Sequence, residues 1–275
     1  MTGTFNCLPR FRLKLKPWRE IDNEIYVALA NLVKTDPSTN HYRACQLHEH
    51  HTGQWLIRSR DYQDWLTGMS RFLWIHGIPG AGKTILASFV IQNIQELCEN
   101  AGQLFIGHAY YYCYFGRDQD ETGPFLCWII SQLCRQAKEI PQQLGSMLAR
   151  GTEPGYKELL EMLETILGRF AHVYIVIDAL DESQGLDNLL NLLYTLSTQQ
   201  PFRNLKILAT SRLIGDIQRT LETLGQNVSM SNPLVDRDIS QFIESQLNSS
   251  QKFALWPLTL KDEVKQALVK GAKGM

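Results

Sequence analysis

The sequence predicts an α/β fold with a parallel central sheet. Three observations predict it: strand-length apolar runs without polar alternation, helical patterns between those runs, and a glycine-rich turn joining the first run to the helix after it. From Pro17 to Lys34 the apolar residues Ile21, Ile25, Ala28, Leu29, Leu32 and Val33 recur at steps of three and four, and Pro17 suits a first turn, so one amphipathic helix is expected. Thr35 to Asn40 (TDPSTN) is turn chemistry, and a polar, His-rich segment follows to His51. RFLWIHG (Arg71 to Gly77) is strand-like, and Lys83 to Cys98 is helix-like, with Ile85, Leu86, Phe89, Ile94 and Leu97 on its apolar side. HAYYYCYF (His108 to Phe115) reads as an aromatic strand and Pro124 to Gln136 as a helix. Tyr156 to Leu167 is a further helix, HVYIVID (His172 to Asp178) a continuous apolar strand, Leu186 to Leu196 a helix and LKILATS (Leu205 to Ser211) a strand. Asp236 to Leu247 and Lys261 to Lys270 read as two helices with no strand between them. Three segments are expected: an N-terminal segment over 1–50, the α/β unit over 51–230, and the start of a helical subdomain over 231–275.

Composition narrows the function. The 275 residues are 44% apolar and 20% charged, and 27 basic against 28 acidic side chains give a formal charge of -1. Such a chain is expected to be globular, with no basic field to gather nucleic acid or a membrane surface. No apolar run approaches the roughly 20 residues that span a bilayer, and the N-terminus lacks a secretory apolar stretch. Of the six cysteines no pair has the spacing of a zinc knuckle or redox dithiol, which fits buried thiols in the reducing cytoplasm. A mitochondrial transit peptide, from the basic, acid-free start, is the alternative address.

Gly77, Ile78, Pro79, Gly80, Ala81, Gly82, Lys83 and Thr84 satisfy the pattern GxxxxGK followed by Ser or Thr, after a buried strand and at a helix start. Glycines let the backbone N–H groups turn inward around a phosphate chain, and the helix N-terminus adds its positive end. Lys83 is then expected to reach the β and γ phosphates, and the Thr84 hydroxyl to ligate Mg²⁺. Such a loop needs an acid from a neighbouring buried strand to hold the metal, and VYIVID delivers Asp178. Asp181 and Glu182 follow: one of them orients the attacking water, or the two cap the next helix. A third strand ends in Thr210, Ser211 and Arg212, a polar and cationic end that would sense the γ phosphate. Its alternative is a surface ion pair between Arg212 and a carboxylate such as Asp216. The class is thus a P-loop NTPase three-layer sandwich.

These motifs, in the order TGQWL (Thr52 to Leu56), Tyr62 and Trp65, FLWIHGIPGAGKT, AYYYCYF, VYIVIDALDES, ILATSR and VDRDISQFI (Val235 to Ile243), resemble the NACHT NTPase domains of fungal STAND proteins. The version is the one also called the nephrocystin-3-like N-terminal domain, and the similarity runs from about residue 36 to the end. Within that family a small residue after the metal-binding Asp, followed by two acids, is diagnostic; Ala179, Asp181 and Glu182 match it. The resemblance implies a nucleotide-operated signalling switch, in which ADP holds a closed monomer and ATP permits opening and homo-oligomerisation. Members usually carry an effector domain before the module, and after it a winged helix and ligand-sensing repeats. With about 50 residues before the module and none of those elements before Met275, the resemblance implies an isolated NTPase core, a truncated product or a fragment.

The expected activity is Mg²⁺-dependent ATP binding with slow hydrolysis to ADP, because a switch must persist in its bound state. Rivals are a small-molecule kinase, although no Arg-rich lid is visible between Ala149 and His172; a GTPase, although the guanine-reading Asn/Thr-Lys-x-Asp motif is absent and only Asp120 to Gly123 resembles a switch element; and a non-enzymatic nucleotide-bound adaptor. ATP therefore ranks above GTP. Cys45, His48, His50 and His51 fit no zinc spacing. Trp55, Tyr62 and Trp65 either flank a purine or lie in the core, and Tyr110, Tyr111, Tyr112 and Tyr114 are either a base-stacking platform or a buried strand.

Overall fold

Strands β1 (Phe72–His76), β2 (Ile106–Tyr112), β3 (His172–Asp178), β4 (Leu205–Ser211) and β5 (Gln226–Ser229) form one sheet in a computed structural model that describes residues 29–102, 105–150 and 152–272. Every pairing is parallel and the order is β2-β3-β4-β1-β5. Alternate strand residues feed two cores. Phe72, Trp74, Tyr111, Val173, Ile175, Ile177, Ile207 and Ala209 face one side, and Leu73, Ile75, Tyr112, Tyr174, Val176 and Leu208 the other. Burial on both faces is why these strands show no polar alternation, and it makes the fold a three-layer sandwich.

The helices come in chain order as α1 (Ser38–Leu47), α2 (Gln54–Ile57), α3 (Arg60–Thr67), α4 (Lys83–Glu99), α5 (Thr122–Ala137), α6 (Gln142–Arg150), α7 (Tyr156–Leu167), α8 (Leu186–Thr198), α9 (Gly215–Leu221), α10 (Pro233–Ser249) and α11 (Leu258–Ala272). Residues of α3 and α4 join the second core, and α5, α7 and α8 the first. The β2 strand is an edge, and α5 covers it with two glutamines. Gln132 Nε2 donates to the Tyr110 carbonyl at 2.9 Å and its Oε1 accepts from the Tyr110 amide at 3.3 Å; Gln136 repeats this on His108 at 2.7 and 3.0 Å. Two side-chain amides thus stand where a sixth strand would pair, which blunts the open edge.

The structure departs from the sequence expectations in several places, and one expected helix falls largely outside the described residues. The helix expected from Pro17 lies outside the described residues except for its last turn, where residues 29–32 are helical and Leu29 and Leu32 are buried. The turn and polar segment expected over Thr35 to His51 is largely helix α1. Asp36 Oδ1 accepts from the Ser38 amide at 2.8 Å and starts that helix, which buries only His41 and Ala44 and so carries no apolar periodicity. Strand β5 (QNVS) was outside expectation because it is short, polar and half-exposed. The aromatic strand also ends early, at Tyr112, and Phe115–Arg117 forms a 3-10 turn.

His41 is 4% exposed, and its Nδ1 lies 3.0 Å from the Tyr112 hydroxyl. Burial lowers its pKa to about 4. The unfolded chain therefore binds a proton between pH 6.5 and 4 that the folded chain refuses, so this stability is complete above pH 6.5 and is lost as pH falls toward 4. We predict a loss of up to about 3 kcal/mol from His41 across that window, from the size of the shift. Urea unfolding at pH 7 and pH 4.5 should show a shallower pH dependence for His41→Gln than for the unchanged chain.

Candidate functional site

Parallel strands bring all their C-terminal ends to one edge, where loops converge. The loop after β1 runs from Gly77 to Gly82 and opens α4 at Lys83. Gly80 and Gly82 adopt φ of 80° and 83°, a conformation that side chains resist. A Cβ at Gly77 would stand 2.7 Å from Met230 Cβ, so the loop passes too close to the residue after β5 for anything larger. Ala81 is buried and anchors the loop, while Ile78, Pro79 and Gly80 are exposed. Lys83 Nζ donates to the carbonyls of Gly77 and Ile78, each at 2.8 Å, and so lies folded across the mouth of the loop. Burial lowers its pKa, against the pull of the Asp181 and Asp178 carboxylates.

Asp178 ends β3 and is 2% exposed. The acid was expected from the strand beside β1, but β4 lies between, and the end of β4 fills the gap. Thr210 Oγ1 donates to Asp178 Oδ1 at 2.5 Å and accepts from the Ala179 amide at 3.1 Å. The Thr84 hydroxyl lies near enough to the Asp178 carboxylate to favour its ionised form. Burial pushes the Asp178 pKa up to about 6, and the two threonine hydroxyls and Lys83 oppose the rise. Ala179 has φ of 60°, a strained position for a non-glycine residue that bends the chain directly after the buried acid.

The bend leads into a 3-10 turn, Leu180–Glu182. Asp181 and Glu182 do not cap the following helix, since α8 begins at Leu186 with Asp187 in its first turn. Asp181, with its side chain 3% exposed, accepts from the Arg212 backbone N–H at 2.8 Å and from Arg212 Nε at 2.6 Å. Arg212 thus pairs with a site acid rather than with Asp216, whose partner is Arg219. Glu182 Oε2 accepts from the Phe115 amide at 3.4 Å, and Ser211 Oγ from Trp74 Nε1 at 2.9 Å. The loop after β1, the end of β3 and the end of β4 therefore meet around one buried carboxylate, with Lys83 beside it and Arg212 held by Asp181.

Other sequence-level candidates fall elsewhere. Tyr62 and Trp65 are fully buried core residues, bonded to Asn93 Oδ1 and the Ile207 carbonyl, which rules out a purine against them. Tyr111 and Tyr112 are likewise enclosed and offer no stacking platform. His48 stacks on Phe89 with ring centroids 4.8 Å apart. Asp120 Oδ1 accepts from the Thr122 amide at the start of α5, and Glu121 is 0% exposed, so Asp120 to Gly123 builds a helix start. Sequence reasoning missed Asp238, whose carboxylate on α10 accepts from the Gly53 amide at 2.6 Å; no local pattern distinguishes it from other helix-surface acids. Burial raises its pKa foremost, against its hydrogen bonds to Gly53 and Trp55. Among the described residues no helix is long and apolar enough to cross a membrane.

A family model described as Nephrocystin 3, N-terminal matches residues 51–212, more than half of the chain. The vegetative incompatibility protein HET-E-1 of Podospora anserina is 28% identical over 204 residues, which cover 70% of this chain and 14% of that protein. The chain therefore spans only a small part of its relative's length. Among solved structures, the Walker-type ATPase of Pyrococcus abyssi aligns at a TM-score of 0.50 with 15% identity, over 83% of this chain and 65% of that one. The ORC2 protein of Aeropyrum pernix, in ADPNP and ADP complexes, aligns at 0.49 with 14% identity, over 83% and 60%.

The raised pKa of Asp178 has a sign that can be checked without ligand. A carboxyl titrating near 6 when folded and 3.8 when unfolded contributes stability below 3.8 that is lost as pH rises through 6. We predict that Asp178→Asn raises the unfolding free energy of the nucleotide-free protein at pH 8 by up to about 3 kcal/mol, and that the gain vanishes by pH 4. Urea denaturation at the two pH values measures it.

Proposed function

The chain belongs to the nephrocystin 3 N-terminal family, and from that premise we propose that it is a Mg²⁺-dependent, ATP-binding switch module of a signalling NTPase with slow hydrolysis. The observation that carries the reading is the meeting of Lys83, Thr84, Asp178, Asp181 and Arg212 at one edge of the sheet: Thr210 hydrogen-bonds Asp178, Thr84 and Lys83 lie close enough to favour its charge, and Arg212 bonds Asp181. Residues 51–230 make up the nucleotide-binding unit in this reading, and α10 and α11 begin a helical subdomain. The relative's name, which refers to vegetative incompatibility, supports a signalling role, and five described free cysteines suit the reducing cytoplasm. Homo-oligomerisation through the NTPase unit in the ATP state completes the proposal, with neither nucleic acid nor membrane as partner.

In this mechanism the backbone N–H groups of the loop from Gly77 to Thr84, Pro79 excepted, cradle the phosphate chain. Lys83 leaves the Gly77 and Ile78 carbonyls for the β and γ phosphates, trading two neutral acceptors for charged ones. A hydroxyl and a single carboxylate, Thr84 and Asp178, are an oxygen donor set that suits Mg²⁺, which takes one or two carboxylates with substrate phosphates and waters. The bound ion would neutralise charge developing on the β and γ phosphates. Of the two acids, Asp181 is occupied by Arg212, which leaves Glu182 to orient water for attack on the γ phosphorus as the bond to the β-phosphate oxygen breaks. Asp181 holds the Arg212 guanidinium toward the same phosphate.

Isothermal titration with ATP, ADP and GTP, each with and without Mg²⁺, tests the reading. ATP and ADP should bind with Mg²⁺, GTP more weakly, and Lys83→Ala should lose about 100-fold in ATP affinity, the worth of roughly two charge-assisted hydrogen bonds. Glu182→Gln should keep binding and lose about 100-fold or more in turnover. Absence of ATP and ADP binding at millimolar Mg²⁺ contradicts the proposal, and unchanged turnover in Glu182→Gln would favour the non-enzymatic adaptor.

A further inference from the structure

The loop that carries the two acids is stitched along its length to the loop between β2 and α5. The Cys113 amide donates to the Asp178 carbonyl at 3.0 Å, and the Phe115 amide points to Glu182 Oε2 at 3.4 Å. Asp120 and Gln184 form an isolated parallel bridge, and Asn188 Nδ2 donates to Asp120 Oδ2 at 2.6 Å. The two loops therefore run side by side from Asp178 to α8.

The β2–α5 loop is itself anchored by a buried ion pair. Glu121 is 0% exposed; its Oε1 accepts from Arg117 Nη1 at 3.1 Å, and its Oε2 accepts from the Tyr111 hydroxyl and from Gln119 Nε2 at 3.3 Å. Arg117 Nη1 also donates to the Tyr112 carbonyl at 2.8 Å, and its guanidinium lies 5.7 Å from the Tyr111 ring centroid and 5.9 Å from that of Tyr114. A largely desolvated pair whose carboxylate accepts three hydrogen bonds is poor at adding stability but good at fixing one geometry. None of these partners belongs to the loop that would hold phosphate. What the pair fixes is the 3-10 turn Phe115–Arg117, whose first amide faces Glu182.

We propose that Arg117 and Glu121 are positioning residues for hydrolysis, holding the Phe115–Arg117 turn so that the Phe115 amide fixes the Glu182 carboxylate toward the attacking water. This rests on Glu182 being the water-orienting acid. One amide bond to a carboxylate oxygen leaves the other oxygen free to accept from water, and such contacts tighten from their ligand-free lengths when substrate binds.

The test removes the amide alone. Tyr114 already has φ of -148° and ψ of 117°, the extended backbone that a following proline requires, and Phe115 opens its 3-10 turn, where proline's fixed φ is accommodated. Phe115→Pro is compared with Phe115→Ala, which keeps the N–H, in the full chain, reading steady-state ATP turnover and the affinity for ADP with Mg²⁺. Phe115→Pro should turn over about 10-fold more slowly than Phe115→Ala with ADP affinity within about twofold, since a small misplacement of a reacting group is costly in rate alone. In a Glu182→Gln background the proline should add no further loss. Glu121→Gln should reproduce the turnover defect with the same unchanged ADP affinity. Equal turnover of the proline and alanine variants beside an impaired Glu182→Gln, or a proline effect that persists in the Glu182→Gln background, overturns the inference alone. Unimpaired turnover of Glu182→Gln overturns the water-orienting role and the inference with it.

Discussion

The rest of the site depends on one buried carboxylate. Asp178 sits at the end of the β3 strand, almost without solvent, between a threonine from β4 and a threonine that opens α4. Three chain segments distant in sequence are thereby held at a common point, and the arrangement follows from topology: with all five strands parallel, every strand end lies on the same edge. Inserting β4 between β1 and β3 places polar side chains, rather than a gap, between the lysine loop and the acid. The cost of that burial is a carboxylate whose proton affinity is raised.

Much of this was legible from residues alone, for identifiable reasons. β1, β3 and β4 are apolar on both faces because helices cover both, and continuous apolar runs are easily seen. The glycine-rich loop is legible because its backbone geometry permits few alternatives: two of its glycines adopt positive φ and a third meets Met230. Asp178 followed from the same apolar run. β5 was illegible because it is only four residues long, three of them polar, and none of them is fully buried. Helix α1 was illegible because its buried face consists of one histidine and one alanine.

The site's supporting contacts were harder to foresee, because they join residues far apart in sequence. Asp181 was expected either at a helix cap or beside water; its engagement by the backbone amide and Nε of Arg212 depends on where β4 ends relative to β3. Glu121 read as part of a loop that resembled a switch element, yet it is a fully enclosed acid at the start of α5. The same limit applies to α10, which meets the segment before β1 through Asp238 on Gly53, Ser245 on Glu49 Oε1 at 2.9 Å and Gln241 on the His50 carbonyl at 3.3 Å. That segment rests in turn on α4: His48 stacks on Phe89, and a Cβ at Gly53 would collide with Phe89. The helices after β5 are therefore tied to the helix that Lys83 begins.

The central claim is that Asp178 is a buried acid built to meet a cation carried in with a triphosphate. Carbon-13 NMR of its side-chain carboxyl across pH, with and without a non-hydrolysable ATP analogue and Mg²⁺, measures this directly. The account predicts titration near pH 6 in the free protein, as burial dictates, and a carboxylate that stays ionised well below pH 4 once the ligand is bound. A titration midpoint that is the same in both samples would contradict it.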